Sequence, residues 1–223
     1  MANPRVYDSA APFEGVVNTN KVLRNTYMLL GMTLAFSAVA AGAAMMLGLG
    51  PMGSIACSIG GFIMLFVVNR MADSSKGLPA IFVFAGLMGA SLGPLMSYYL
   101  SIPSGPALVM QALAGTAVVF FSLSAYALTS KKDFSFMGGF LLVGLIVAVV
   151  AMIANIFLQI PALSLTISAA VILIMSGLIL FDTSRIINGG ETNYIRATIA
   201  LYLNVYNLFV HMLSLLTALS GDD

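Results

Sequence analysis

Asp182 is the residue of this sequence best suited to carry chemistry, because it is the only acidic residue inside a predicted membrane-spanning stretch, residues 162–187. It lies about four to six residues before the cytoplasmic end of that stretch. At 1.5 Å per residue, this places it roughly 6–9 Å from that end, inside the span. A lone carboxylate at that depth is costly, so it faces the protein interior, finds a partner or takes up a proton. Arg185, one turn further on, and Arg70, at the inner end of the second stretch, are the candidate partners. A structural lock between helices is one interpretation, and a functional group in an ion path or sensor is the favoured one.

The last predicted stretch, residues 195–219, carries a second set of polar side chains, Asn204, Asn207, His211 and Ser214. At 100° per residue they fall within about 80° of one another, so they form a stripe on one helix face. The stripe either lines a wet cavity or makes hydrogen bonds between helices, worth about 0.6 kcal/mol each, and the sequence leaves both open. His211 is the only histidine, and one imidazole does not make a metal site.

Several familiar chemistries of membrane proteins need groups that this sequence lacks. An aspartyl protease needs two buried carboxylates, and a rhomboid-type serine protease needs a serine turn with a histidine partner. A retinal protein needs a lysine within a span, but the last lysine, Lys132, falls in a connection. Cys57 is the only cysteine, which excludes an intramolecular disulfide and a cysteine zinc cluster. We therefore predict no catalytic residue and no cofactor.

The composition places these residues in a lipid bilayer. Of the 223 residues, 60% are hydrophobic and 8% are charged, whereas a soluble domain has roughly 25% charged residues. The formal net charge of +1 gives no indication of the strongly basic surface that binds nucleic acid. We predict an all-α membrane protein with a polar, flexible arm over residues 1–25 and one seven-helix transmembrane domain over 26–223. The predicted spans are 26–48, 51–70, 78–99, 106–129, 136–158, 162–187 and 195–219.

The distribution of basic residues predicts the orientation of the chain. All nine lie in the amino-terminal arm or around the second, fourth and sixth connections, while the other connections and the tail have none. Under the positive-inside rule, the amino terminus is cytoplasmic and the carboxyl terminus is outside, which requires an odd number of spans. The basic residues are Arg5, Lys21, Arg24, Arg70, Lys76, Lys131, Lys132, Arg185 and Arg196.

Small residues recur within the third predicted span. Gly89-x-x-x-Gly93 is a spacing that lets two membrane helices approach closely. Such patterns are common in membrane proteins, so ordinary packing of a helix bundle is the favoured interpretation.

Several segments match a known pattern in their order along nearly the whole chain from residue 21 onward. The most specific is 189–197 followed by 201–209, and the others are 21–27, 115–121 with 124–126, 132–139 and 154–158. Through them the chain resembles the Bax inhibitor-1 family, and most closely its bacterial branch of modulators of the membrane protease FtsH. The resemblance implies six helices around a central seventh, a bacterial inner-membrane location, and the lipid bilayer and FtsH as partners. FtsH needs a flexible handle, and the polar segment from Met1 to Asn20 is the candidate.

The resemblance also implies roles for the polar residues. Some members of the family are pH-gated calcium leak channels, in which an aspartate of the sixth helix and one of the seventh share a proton and an arginine of the second helix engages them. Asp182 matches the first aspartate and Arg70 the arginine, but the second aspartate falls on Asn204, whose amide cannot titrate. Modulation of FtsH is therefore favoured. The alternative is a calcium- or proton-linked leak through Asp182, Asn204, Arg70, Asn207 and His211, with calcium near Asp182.

Overall fold

Seven helical spans make up the fold. The structure, a computed structural model, describes the backbone of residues 11–130 and 132–220, with side chains from residue 19 onward. A 3₁₀ turn, Ser135–Met137, precedes the helix that begins at Gly138. The helices are α1 (Ala11–Met46), α2 (Pro51–Met71), α3 (Gly77–Ser91), α4 (Gly93–Ser101), α5 (Gly105–Ser130), α6 (Gly138–Leu158), α7 (Pro161–Ile187) and α8 (Tyr194–Ser220).

The predicted number of spans is confirmed. With α3 and α4 counted as one span, the described residues contain seven helical segments long and apolar enough to cross a membrane. Residues 26–48 and the other six predicted spans agree with these segments to within a few residues at most ends, so α7 is the predicted sixth span and α8 the seventh. Arg5, Lys131 and the end of the tail, residues 221–223, entered the orientation argument but lie outside the described residues.

The structure differs from the sequence prediction at the start of the chain. Helix α1 begins at Ala11, inside the segment 1–25 that was predicted to be a flexible arm, and the first ten residues of that segment lie outside the described part of the chain. Val22 and Leu23 pack against the core, and Thr26 is fully buried. The helix is thus held by protein contacts before the long apolar run begins, which the polar composition of the segment did not indicate.

A proline divides the third span into two helices. Leu92 separates α3 from α4, and Gly93-Pro94 opens α4. Proline has no N–H to donate and its ring clashes with the carbonyl four residues earlier, so a helix kinks at this point. At the break, the Leu92 N–H donates to the Gly89 carbonyl, three residues earlier, at 3.0 Å. In a continuous α-helix it would donate to the carbonyl four residues earlier.

Close contact between α1 and α3 depends on the two glycines of the predicted pattern. A Cβ atom added at Gly89 would overlap the Ser37 backbone, and one added at Gly93 would lie 2.7 Å from the Ala44 Cβ. The pattern therefore does bring α1 against α3 and α4, as part of the packing of the bundle.

Two tyrosines hold α8 against the first half of the chain. The Tyr202 hydroxyl donates to Ser37 Oγ at 2.6 Å, and Ser37 Oγ donates to the Ala85 carbonyl at 2.6 Å. The Tyr206 hydroxyl lies 3.0 Å from Ser91 Oγ. Helix α8 packs against α1, α2, α3, α5 and α7, whereas α6 packs against α7 and the 3₁₀ turn alone among the described elements.

Candidate functional site

The candidate site is centred on a hydrogen bond between α7 and α8. Asn204 Nδ2 donates to Asp182 Oδ2 at 2.7 Å. The two residues are 9% and 5% exposed, so the contact is buried within the bundle. An amide donor satisfies one oxygen of the carboxylate without adding a second negative charge. The two sequence-predicted residues are therefore brought together, as a carboxylate and an amide rather than as a pair of acids.

The two residues after Asp182 extend these contacts to other elements. Thr183 Oγ1 lies 3.4 Å from the Tyr27 hydroxyl of α1. Ser184 Oγ accepts the Phe134 N–H at 3.0 Å and donates to the Lys132 carbonyl at 3.2 Å. Three consecutive side chains of α7 thus bind α8, α1 and the connection between α5 and α6. The contacts of Thr183 and Ser184 were not identified from the sequence. The run of three polar residues at the end of an apolar helix was the feature that could have indicated them.

Neither arginine expected near Asp182 forms an ion pair with it. Arg185 Nη2 lies 3.8 Å from Glu191 Oε2, and its guanidinium lies over the Phe181 ring at 5.5 Å from the ring centre. Arg70 is exposed in the last turn of α2, and the ion pairs found among the described residues do not include it. The Asp182 carboxyl group is therefore hydrogen-bonded to a neutral donor and has no ion-pair partner among the described residues.

The polar stripe on α8 makes hydrogen bonds along one part and lines a cavity along another. Asn207 Nδ2 donates to the Leu203 carbonyl of its own helix at 2.8 Å. His211 Nδ1 lies 3.3 Å from Ser168 Oγ of α7, which lies 3.4 Å from Ser214 Oγ. His211, Ser168 and Ser214 line a cavity of about 490 Å³ together with Asn155 and other residues of α6 and α7. Asn204 and His211 thus contact polar side chains of α7, and the stripe also borders a cavity.

A polar contact outside the predicted site joins α8 to the connection between α2 and α3. Asn193 Oδ1 accepts the Ile195 N–H at 2.8 Å and caps α8. Its Nδ2 donates to the Ala72 carbonyl at 2.9 Å and to Asp73 Oδ1 at 2.8 Å. Arg196 forms an ion pair with the other Asp73 oxygen. This end of the bundle is therefore held together by side chains from two connections, Asp73 and Asn193, and by Arg196 in the first turn of α8.

Stability should depend on pH through Asp73. Hydrogen bonds from Asn193 and Arg196 hold the pKa of the Asp73 carboxyl below its ordinary value of 3.8. A group with a depressed pKa stabilises the folded state above its ordinary pKa, and this contribution is lost as the pH falls through the lowered value. Asp73→Asn should therefore lower the unfolding temperature slightly at pH 6, and the difference from the parent chain should vanish near pH 2.

Thermal unfolding in detergent from pH 7 to pH 2 measures this difference. The matched control is Lys76→Gln, which removes an exposed charge from the same connection and should give a pH profile parallel to that of the parent. A constant difference between Asp73→Asn and the parent across the whole range would contradict the prediction.

The chemistry available at the candidate site is limited. The described residues contain no group of three or more histidine, cysteine, aspartate or glutamate side chains that could hold a metal ion. A single carboxylate bonded to an amide cannot share a proton with a second acid. It can join two helices, and it can attract one cation if water reaches it.

Comparison with known proteins places these features in a family. Residues 19–221 match the family described as "Inhibitor of apoptosis-promoting Bax1". The chain is 50% identical over 218 residues to the Escherichia coli K12 protein named "Modulator of FtsH protease YccA", covering 98% of this chain and 99% of that one. It is 48% identical over 222 residues to a Vibrio cholerae membrane protein, covering 99% of this chain and 100% of that one. A Pseudomonas aeruginosa protein is 44% identical over 202 residues, 91% of each chain.

Proposed function

Because the chain belongs to the Bax inhibitor-1 family of membrane proteins, we propose that it is a non-enzymatic inner-membrane protein that binds the membrane protease FtsH and modulates it. The main support is the 50% identity, over 98% of this chain, to a protein named as a modulator of FtsH. A relative of equal identity is named "Inner membrane protein YccA". The proposal includes a cytoplasmic amino terminus, an outer carboxyl terminus and α8 as the central helix.

The geometry supports a binding protein more than a catalyst. The buried polar side chains of α7 join helices to one another, as the 2.7 Å contact between Asp182 and Asn204 does. Helices α2 and α6 are the least buried spans, and α6 exposes Ile146, Val150 and Phe157. These surfaces are accessible to a membrane partner without any rearrangement of the bundle. The contacts of α8 with α1, α2, α3, α5 and α7 support its central place.

Capture of FtsH is the direct test. The tagged chain, extracted from membranes in mild detergent, should retain FtsH, and the reconstituted chain should slow degradation of a membrane substrate by FtsH severalfold. The matched control is an unrelated seven-span protein at the same lipid ratio, which should do neither. A folded chain that neither retains FtsH nor changes the rate of degradation would contradict the proposal.

The amino-terminal segment should be needed for the effect on FtsH but not for folding. The described core contacts of α1 begin at Val22 and Thr26, so deleting residues 2–18 should leave the unfolding temperature nearly unchanged. We propose that FtsH engages the chain through this polar segment, so the same deletion should abolish the change in FtsH-dependent turnover. A scrambled segment of equal length and composition is the control and should restore the effect. Unchanged turnover after the deletion would remove the segment from the mechanism.

A calcium- or proton-linked leak is the second candidate function. The cavity of about 490 Å³ beside His211 and the buried carboxylate of Asp182 favour it, while the amide of Asn204 opposes it. Liposomes that contain the chain and a calcium dye should therefore show no flux above empty liposomes at acidic or neutral pH. Asn204→Asp supplies the missing carboxylate and should be the variant that conducts. Flux in the parent chain that disappears in Asp182→Asn would make the leak the leading function.

A further inference from the structure

An elongated cavity lies between α1, α4, α5 and α8. Neither Asp182 nor the stripe from Asn204 to Ser214 lines it, although Ser37, Tyr202 and Tyr206 do. Its volume is about 520 Å³, within the range of about 300–1,000 Å³ typical of ligand sites. No Cα atom of α1 comes within 8 Å of one in α5 over the described residues, and α8 forms the floor between them. The rings of Tyr27 and Phe120, 5.8 Å apart, bridge α1 and α5 at one end. Leu92, Met96 and Leu100 line the other end. We call this cavity the α1–α5 groove.

The groove has the shape of a chain and lies at the depth of the bilayer core. Its lining residues run along α1 from Tyr27 to Met45 and along α5 from Val109 to Phe121. At 1.5 Å per residue these stretches are about 27 Å and about 18 Å long, against about 30 Å for the hydrocarbon core of a bilayer. Both stretches fall inside membrane spans. The gap between α1 and α5 therefore faces lipid chains rather than water.

The walls of the groove are apolar, uncharged and partly open. No lysine, arginine, histidine, aspartate or glutamate lines the groove. A charged ligand would have no counter-charge there, so a ligand must be neutral. Gly31 and Gly42 line it on the α1 side, and a Cβ added at either would meet no atom within 4 Å. The space in front of these two glycines is therefore unfilled by protein.

One hydroxyl group on the wall lacks a partner. Thr116 lines the groove from the middle of α5 and is 4% exposed. Its Oγ1 is buried and forms no hydrogen bond, unlike Thr33, Thr198 and Thr217, each of which donates to a carbonyl of its own helix. Buried polar atoms are nearly always bonded. Ser37, Tyr202 and Tyr206 also bring hydroxyl groups to the wall, but those are bonded within the protein. The free hydroxyl of Thr116 therefore points to a ligand that brings an oxygen atom.

We propose that the α1–α5 groove binds a neutral single-chain lipophile, a hydrocarbon chain with one uncharged oxygen group, which enters between α1 and α5 from the bilayer. The chain lies along the apolar walls, and its oxygen bonds to Thr116 Oγ1. This site does not depend on the action of the protein on FtsH. It uses neither Asp182 nor the stripe from Asn204 to Ser214.

Photo-labelling of the purified full-length chain in lipid nanodiscs tests the site. The probes are a long-chain fatty alcohol that carries a diazirine and an alkane of equal length that carries the same diazirine without the hydroxyl. After irradiation, mass spectrometry of peptides compares labelling of α1 and α5 with labelling of the lipid-exposed face of α6. We expect the alcohol to label groove peptides at least fivefold more than α6 peptides. Equal labelling of the groove and α6 would overturn the proposal, because it would mean ordinary contact with bulk lipid.

Two variants separate filling of the groove from loss of its polar contact. Gly42→Leu should reduce groove labelling severalfold with both probes, and the control Gly139→Leu should not, because Gly139 also has open space but lies on α6 away from the groove. Thr116→Val keeps the side-chain shape and should reduce labelling by the alcohol about three- to tenfold, with no loss for the alkane.

Each variant is checked by thermal unfolding, and Ala38→Leu, also on the groove wall, replaces Gly42→Leu if that variant does not fold. Unchanged labelling in a folded, filled variant would rule out the groove as the site. Equal labelling by the alcohol in Thr116→Val and in the parent chain would rule out the oxygen-bearing ligand.

Discussion

Asn204→Leu should destabilise the folded chain by about 2–4 kcal/mol, because it removes the donor that bonds to the buried Asp182 carboxylate at 2.7 Å. Leaving a buried charged group without its partner costs about 1–3 kcal/mol or more, beyond the lost hydrogen bond. Reversible unfolding of the chain in mixed micelles with increasing denaturing detergent measures this free energy. The loss of stability should be present at neutral pH, because the carboxylate without its amide partner must then bind water or a proton.

The double variant Asp182→Leu/Asn204→Leu distinguishes a partner effect from a packing effect. Replacing both partners by apolar groups of similar size leaves no orphaned polar atom, so most of the lost stability should return. With the single variant Asp182→Leu also measured, the change in the double variant minus the sum of the changes in the two single variants gives the coupling energy of the pair. A double variant that is less stable than either single variant would show that packing of leucine, and not the unpaired carboxylate, caused the loss.

Gly89→Ala should destabilise the chain by about 2–3 kcal/mol despite the higher helix propensity of alanine. The added Cβ would overlap the Ser37 backbone, so α1 and α3 must separate, and overpacking of this kind costs about 1–3 kcal/mol. Separation would also strain the hydrogen bonds that Ser37 makes with Ala85 and Tyr202. The same unfolding measurement applies.

Gly42→Ala is the matched control, because Gly42 is also a helical glycine but its added Cβ meets no atom within 4 Å. Alanine there should be neutral or stabilising by up to about 1 kcal/mol, the difference in helix propensity. Equal stability changes at Gly89 and Gly42 would mean that the close approach of α1 and α3 does not limit the stability of the bundle.

The spans were predictable because lipid imposes a simple rule on the sequence. Every backbone group in the bilayer core must be bonded within the protein, so a span is a long apolar helix bounded by turn residues. Pro51 and Pro161 begin α2 and α7, because proline is tolerated in the first turn of a helix. The start of α1 at Ala11 was not predictable from hydropathy, since the helix continues there through polar residues.

The partners within the candidate site were less predictable than its residues. Asp182 was identifiable as a costly carboxylate, but the hydropathy of a membrane helix does not separate faces that contact lipid from faces that contact protein, since both are apolar. The hydrogen bonds of Tyr202 and Tyr206 were missed for this reason, because each ring fits either environment. The charge of Arg185 suggested an ion pair with Asp182, yet Glu191 lies closer to its guanidinium.

The place of α8 in the chain has a consequence for biosynthesis. The ribosome releases α8 after the seven helices before it, yet α8 supplies the partner of Asp182 on α7 and, in Tyr202, the partner of Ser37 on α1. The first six spans therefore enter the bilayer with polar groups whose hydrogen-bond partners on α8 have not yet been synthesised. Chains that end before Tyr194 would retain the carboxylate without its amide, and such incomplete products would differ from finished ones by an exposed intramembrane charge that quality-control proteases can detect.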